Sequence, residues 1–69
     1  MARTSIITGK VYSEDTCVFI LNPTQAALYI KHNIPLYDIQ ITSDNRMIFL
    51  FDEQGHRKVF DAWVKHELK

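Results

Sequence analysis

An apolar run of only five residues, 47–51, constrains the fold more than any other feature of the chain. A strand with one face in solvent alternates between polar and apolar residues, whereas a strand covered on both faces is apolar throughout. The run is therefore predicted to be the central strand of a small sheet. In a chain of 69 residues, the sheet and its covering elements must form a single domain over residues 1–69.

Two further segments are predicted to be strands. Residues 17–21 are β-branched, aromatic or otherwise apolar, which favours a short strand covered on both faces. Residues 36–42 alternate, with Tyr37, Ile39 and Ile41 on one side, as in a half-buried strand. Asp44 and Asn45 tolerate the positive φ of a tight turn, so this strand and the central one should form an antiparallel hairpin.

A helix is predicted over residues 23–32. Asn22 is a favoured N-cap, and Pro23 at the first helical position loses no hydrogen bond. Asn33 is expected to take the left-handed conformation that ends many helices. The pattern puts Gln25 on the outer side, and it assigns four residues to the buried face: Ala26, Ala27, Tyr29 and Ile30.

A second helix is predicted over roughly residues 56–68. The acidic residues Asp52 and Glu53 precede it and suit the positive end of the helix dipole. Its buried face is predicted from the helical spacing of Val59, Phe60, Trp63 and Val64, with Phe60 and Trp63 as the main core anchors.

The N-terminal residues 1–16 are the least regular part of the chain. Strand character between Ser5 and Tyr12 is interrupted by Gly9, so the segment is predicted to be either a strand or a loose arm, followed by a turn at residues 13–16. The predicted class is α+β. A small antiparallel sheet of three to four strands carries two helices packed on one face, in the order β(β)αββα.

Composition excludes several classes of protein. Eight Lys and Arg balance eight Asp and Glu, which argues against a protein that binds nucleic acid or acidic membranes by bulk charge. A single cysteine cannot form an intramolecular disulfide. No run approaches the roughly 18–20 apolar residues that span a bilayer, and no signal-peptide core is evident. The expected location is the cytoplasm.

No constellation predicts catalysis. Cys17 lies in an apolar strand, which raises the pKa of a thiol and keeps it inert. His56 and His66 are separated by about 15 Å of helix rise, too far to share a metal ion. Gly9 and Gly55 cannot build a glycine-rich phosphate loop. We expect no catalytic residue, no cofactor site and no metal site, and therefore no enzyme.

One candidate partner-binding surface follows from the register of the hairpin. If Asp44 and Asn45 are the two central turn residues, Ile41 opposes Ile48 on the face covered by the helices. The other face would then expose an apolar strip for a partner or a second copy of the chain. There are two alternatives: the N-terminal segment covers this strip, or a one-residue shift in the register of the hairpin inverts the two faces. The strip consists of Met47, Phe49 and Phe51.

The second candidate surface is basic and lies on the C-terminal helix. It consists of Arg57, Lys58, Lys65 and Lys69. This face predicts a small nucleic-acid-associated regulator as the alternative function. The simpler interpretation is a solvated helix face, in which Asp61 pairs with Arg57 and Lys65 at a spacing of four residues. We favour the solvated face.

One further set of residues extends over the predicted strands and helices of residues 17–68: Asn22, Pro23, Gln25, Ala26, Tyr29, Ile30, Lys31, His32, Pro35, Leu36, Asp38, Ile39, the strand 48–52, Phe60, Asp61, Trp63, Glu67 and Leu68. In these residues the chain resembles short uncharacterised proteins of phages, prophages and other mobile elements of Gram-positive bacteria. The resemblance implies an accessory protein that binds and modulates or inhibits a host protein, such as a defence component. We therefore expect a non-enzymatic protein-interaction module, whose partner is a host protein or a second copy of the chain.

Overall fold

The computed structural model describes residues 2–69, which form two helices and two antiparallel sheets. The α+β class is therefore confirmed. A two-stranded sheet pairs β1 with β2, and a three-stranded sheet has the order β3–β5–β4. The elements are β1 (Ala2–Thr4), β2 (Val11–Ser13), a single 3₁₀ turn (Glu14–Thr16), β3 (Cys17–Ile20), α1 (Pro23–Lys31), β4 (Leu36–Ile41), β5 (Met47–Asp52) and α2 (Glu53–Val64).

The apolar strand β5 lies at the centre of its sheet, as predicted. It pairs with β3 on one side and with β4 on the other, both antiparallel. Leu50 and Phe51 are fully buried and Phe49 is almost so. The apolar run of β5 is thus covered on both faces of the sheet.

The register of the β4–β5 hairpin differs by one residue from the predicted one. Ile41 opposes Met47 and Ile39 opposes Phe49, because the loop between the strands has three residues instead of two. Thr42 closes the loop by donating its N–H to the Arg46 carbonyl (2.9 Å), and Asn45 takes a positive φ of 65°. A type I turn followed by a left-handed residue is a common three-residue hairpin loop.

The one-residue shift inverts the faces of β5. Phe49 (7% exposed) and Phe51 (0%) face the helices and belong to the core, and only Met47 (46%) remains exposed. The prediction that these three residues form an exposed strip is therefore wrong, and the inverted register is the alternative that the structure adopts.

A β-bulge in β4 also departs from the predicted alternation. The register shifts between Leu36 and Asp38, so Leu36 opposes Phe51 and packs against the core. Tyr37 was predicted to share a face with Ile39, but its ring stacks on Tyr12 at 6.3 Å between centroids. A bulge inserts one extra residue and thereby changes which side chains face inward.

Helix α1 begins and ends as its capping residues predict. Asn22 Oδ1 accepts from the N–H groups of Thr24 (2.9 Å) and Gln25 (3.2 Å). Asn33 is left-handed, with φ of 62°, and ends the helix. The buried face is Gln25, Ala26 and Tyr29, whereas Ala27 and Ile30 are exposed, so the predicted face is correct for Ala26 and Tyr29 only.

Helix α2 starts three residues earlier and ends four residues earlier than predicted. Asp52 caps its start by accepting the Gly55 N–H at 2.9 Å, and His66 ends it in the left-handed conformation with φ of 58°. The predicted buried face is only partly correct. Val59 packs against the core and Trp63 is half-buried, but Phe60 (43%) and Val64 (56%) are exposed.

The core lies between the three-stranded sheet and the two helices. Tyr29 of α1 is fully buried, and its ring meets that of Phe51 edge-on at 5.2 Å. The core residues are Ile20, Ala26, Tyr29, Ile34, Phe49 and Phe51, with Val18, Leu36, Ile39, Val59 and Leu68 packed around them. Both helices thus cover one face of the sheet.

The N-terminal hairpin covers part of the other face. Of the two predicted alternatives, strand and loose arm, the structure has a hairpin whose strands β1 and β2 flank a loop at residues 5–10. Buried Ser5 donates to Asp38 Oδ1 (2.6 Å), and buried Tyr12 donates to Asp38 Oδ2 (2.5 Å). The predicted turn at residues 13–16 is present as the 3₁₀ turn.

Candidate protein-binding surface

An apolar cleft lies where the start of α1 approaches the β4–β5 loop. It encloses about 300 Å³ and is lined by Leu21, Pro23, Arg46, Met47 and Phe49. The fold creates it because Leu21 follows β3 and Pro23 begins α1, whereas Met47 starts β5 beside the three-residue loop. Elements distant in sequence therefore meet around one concave surface.

The cleft has an apolar floor and exposed apolar walls. Phe49 is 7% exposed and forms the floor, while Leu21 (56%) and Met47 (46%) are accessible on its sides. Ile41 pairs with Met47 in the sheet and is 69% exposed, which extends the apolar surface beyond the cleft. Exposed apolar side chains grouped in this way favour contact with apolar atoms of another molecule.

Arg46 is the one charged residue that lines the cleft in the described part of the chain. Its Nε lies 3.2 Å from Asp44 Oδ2, and both side chains are largely exposed. An exposed pair of this kind exchanges partners at little cost in free energy. The cleft can therefore bind apolar groups and offer a guanidinium at its rim, but its lining contains no group suited to proton transfer near neutral pH.

The structure brings two residues of the predicted strip, Met47 and Phe49, to this cleft, whereas Phe51 is buried elsewhere in the core. Sequence reasoning missed Leu21, Pro23 and Arg46. Leu21 had a detectable signal, because it is a large apolar residue at the end of the predicted strand 17–21 and directly before the helix cap. Nothing in the sequence indicated that Arg46 and Pro23 would lie near each other.

The basic residues of the C-terminal region do not form one helix face. Lys69 lies beyond α2, which ends at Val64. Arg57 was predicted to pair with Asp61, but it pairs with Glu53 at 2.6 Å. The other predicted pair, Lys65 with Asp61, is present at 3.0 Å. Two of the four cations are thus partly neutralised by carboxylates one turn away.

A buried polar chain joins the two helices. Gln25 Nε2 donates to the Tyr29 hydroxyl (3.0 Å), which lies 2.7 Å from His56 Nδ1. When Nδ1 is unprotonated, the Tyr29 hydroxyl donates its hydrogen to this nitrogen while it accepts from Gln25. Burial lowers the pKa of His56, whereas the nearby Glu53 raises it and Arg57 lowers it by smaller amounts. Burial also raises the pKa of Tyr29. These hydrogen-bonded side chains therefore stabilise the contact between the helices, with the imidazole in its neutral form.

Asp38 is the centre of a second polar cluster, between the N-terminal hairpin and the sheet. Burial alone would raise its pKa, but hydrogen bonds from Ser5, Tyr12 and the Ile39 N–H outweigh burial and lower it. The same contact raises the pKa of the Tyr12 hydroxyl, together with burial. Ser5 is 2% exposed, so its hydroxyl is inaccessible to a substrate. The cluster therefore attaches the hairpin.

Cys17 is half-buried, and its Sγ donates to the Ser13 carbonyl at 3.3 Å. Burial raises the pKa of the thiol, which disfavours the reactive thiolate. Among residues 2–69, no three His, Cys, Asp or Glu side chains are grouped so that they could hold a metal ion. Over the same residues, no helix has the length and hydropathy needed to cross a membrane.

Comparisons with known proteins give no match to this chain, whether with family models, curated proteins or solved structures.

Proposed function

We propose that this chain is a non-enzymatic protein-interaction module, and that its cleft binds a large apolar side chain of a protein partner. The observation that supports the proposal is the cleft itself. Leu21 and Met47 are about half exposed although they flank a concave surface with the buried Phe49 at its floor. Transfer of an apolar side chain from water into such a cleft is favourable.

The cleft also suggests what the partner segment contains. A volume of about 300 Å³ is at the lower end of the range for ligand pockets, which suits one large side chain better than a cofactor. Arg46 at the rim supplies donors and a positive charge, so a carboxylate next to the apolar side chain would replace Asp44 as its partner. We therefore propose a partner segment in which a leucine, methionine or phenylalanine is adjacent to an acidic residue.

The proposed partner is a protein of a bacterial host. This part rests on the resemblance to accessory proteins of Gram-positive mobile elements, whose implied role is to modulate or inhibit a host component. The cytoplasm is then the compartment in which the partner would be met. The nucleic-acid alternative has less support, because Arg57 and Lys65 each pair with a carboxylate and Lys69 lies off the helix.

Affinity capture with matched variants tests the proposal. The wild-type chain, Met47→Asp and Ile7→Asp are immobilised and exposed to a nuclease-treated lysate of a Gram-positive bacterium. Ile7 is an exposed isoleucine (59%) on the N-terminal hairpin, away from the cleft, and serves as the control. We expect a protein that the wild type and Ile7→Asp retain and that Met47→Asp does not.

Two results would contradict the proposal. One is retention of the same proteins by folded Met47→Asp, with the fold checked by amide NMR spectra. The other is steeply salt-dependent binding of random duplex oligonucleotides that a Lys58→Gln variant weakens, because counterion release indicates phosphate contacts and would favour the alternative function.

A further inference from the structure

Strand β3 forms one edge of the three-stranded sheet, and its backbone orientation can be derived from two hydrogen bonds. Cys17 donates its N–H to the Glu14 carbonyl, and Asp52 donates its N–H to the Pro35 carbonyl at 3.0 Å. Cys17 and Asp52 are ladder partners, so they form a non-hydrogen-bonded pair. Non-hydrogen-bonded and hydrogen-bonded pairs alternate along antiparallel strands. The second pair after Cys17 and Asp52, which is Phe19 and Leu50, is therefore also non-hydrogen-bonded.

The N–H and carbonyl of Phe19 therefore point away from β5, towards the free edge. No hydrogen bond from another described residue reaches the Phe19 backbone on that side. Its side chain is 44% exposed. The edge thus presents a donor, an acceptor and an apolar ring at one position.

The opposite edge, β4, is protected in ways that β3 is not. Lys10 Nζ donates to the Leu36 carbonyl (3.3 Å), and Thr8 Oγ1 donates to the Tyr37 carbonyl (2.7 Å). A bulge at Tyr37 further disrupts β4 as a template for pairing. Residues 17–21 contain no charge, no proline and no bulge, and their only protection is the shortness of the strand.

We propose that β3 pairs antiparallel with β3 of a second copy of this chain, on a two-fold axis at Phe19. The two Phe19 residues exchange their N–H and carbonyl groups, and each Leu21 N–H donates to the Cys17 carbonyl of the other copy. The pairing joins two three-stranded sheets into one of six strands and brings the two exposed phenylalanine rings together. It uses a surface different from the cleft, although Leu21 borders both.

Charge complementarity supports a second copy as the occupant of this edge. In this register, the 3₁₀ turn that precedes β3 in one chain lies at the same end of the pairing as the start of α1 in the other. The 3₁₀ turn carries the exposed Asp15 beside Glu14, which pairs with Arg3 of its own chain at 3.1 Å, whereas the first turn of α1 contains no acidic residue. Each acidic turn thus approaches the positive N-terminal end of the other copy's α1, an arrangement that favours association. The whole chain has a formal net charge of zero, so two copies do not repel each other.

Sedimentation equilibrium of the full chain, from micromolar to millimolar concentration, is the first test. Wild type should reach twice its monomer mass of 8.1 kDa. Phe19→Lys should remain monomeric, because like charges would face each other on the axis and an edge lysine opposes pairing. The control Ile41→Lys, at an exposed position of β4, should dimerise as wild type does. A wild type that is monomeric throughout, or a folded Phe19→Lys that dimerises, would overturn the proposal.

Disulfide cross-linking tests the register, and it remains informative if Phe19→Lys does not fold. Opposed residues in a hydrogen-bonded pair have Cα atoms about 5.5 Å apart, within disulfide range. In a Cys17→Ser background, Phe19→Cys should form a covalent dimer on mild oxidation, and Ile41→Cys should form far less. Equal cross-linking by the two variants would overturn the register.

Discussion

Replacing Gly55 with alanine should destabilise the protein, although alanine ordinarily favours a helix. Gly55 is buried in the first turn of α2, where a Cβ atom would lie 2.9 Å from Cγ2 of Ile34 and 3.4 Å from Cδ of Pro35. Carbon atoms pack best at about 3.5–4.0 Å. Ile34 is itself buried and the proline ring is rigid, so neither can move aside freely.

The magnitude follows from two opposing contributions to the free energy of unfolding. Alanine gains at most about 1 kcal/mol over glycine in a helix. Inserting a methyl group into a filled site costs about 1–3 kcal/mol. We expect a net loss of about 1 kcal/mol, which lowers the melting temperature of a domain this small by about 4–8 °C.

Thermal and urea denaturation followed by circular dichroism would measure this change. Gln54→Ala, at the exposed neighbouring position, is the control and should change stability by no more than a few tenths of a kcal/mol. Leucine lacks the branch methyl on Cβ that isoleucine carries, so Ile34→Leu should remove most of the penalty in a double-mutant cycle. A higher melting temperature for Gly55→Ala, or no coupling with Ile34→Leu, would refute the close contact as the cause.

Three further perturbations have directions fixed by the structure. Tyr29→Phe removes the hydroxyl between Gln25 and His56 and should lower the free energy of unfolding, measured by urea denaturation, by about 1–3 kcal/mol. A decrease no larger than that caused by Tyr37→Phe would contradict this prediction. His66→Gly should stabilise the protein by about 1 kcal/mol, because φ of His66 is 58° and glycine adopts this left-handed conformation without steric strain. A lower melting temperature for this variant would contradict the prediction. Because burial lowers the pKa of His56, the contribution of His56 to stability should be constant above the ordinary value of 6.5. This contribution should decrease as the pH falls below 6.5, until the folded-state pKa is passed. His56→Gln should flatten this part of the pH profile of melting temperature.

The features predicted correctly are those whose physical cause is local. Asn22 and Asn33 bound α1 because a side-chain oxygen satisfies free N–H groups and because asparagine tolerates the left-handed conformation. The central position of β5 also follows from its own composition. Each of these inferences needs only a few neighbouring residues.

The register could not be predicted, and the first candidate surface failed with it. Residues 47–51 are apolar at every position, so their pattern does not distinguish one face from the other. The length of the loop determines the register of the hairpin. A two-residue turn and a three-residue turn with Asn45 in the left-handed conformation are both compatible with the sequence. The cleft was not predictable either, because it depends on that register and on the approach of Leu21 to Met47.

The orientation of α2 shows why hydrophobic periodicity alone misplaced its buried face. At 100° per residue, the predicted face is centred about 70° from the observed one, which is centred near Val59. The observed face includes two small residues, Gly55 and Ala62, which a search for apolar side chains ignores. Gly55 allows α2 to approach Ile34 and Pro35 closely, and this approach fixes the rotation of the helix about its axis. Phe60 is consequently left 43% exposed, with its ring beside His56 at 4.7 Å. Small residues at helical spacing therefore carry as much information about packing in this chain as its aromatic residues do.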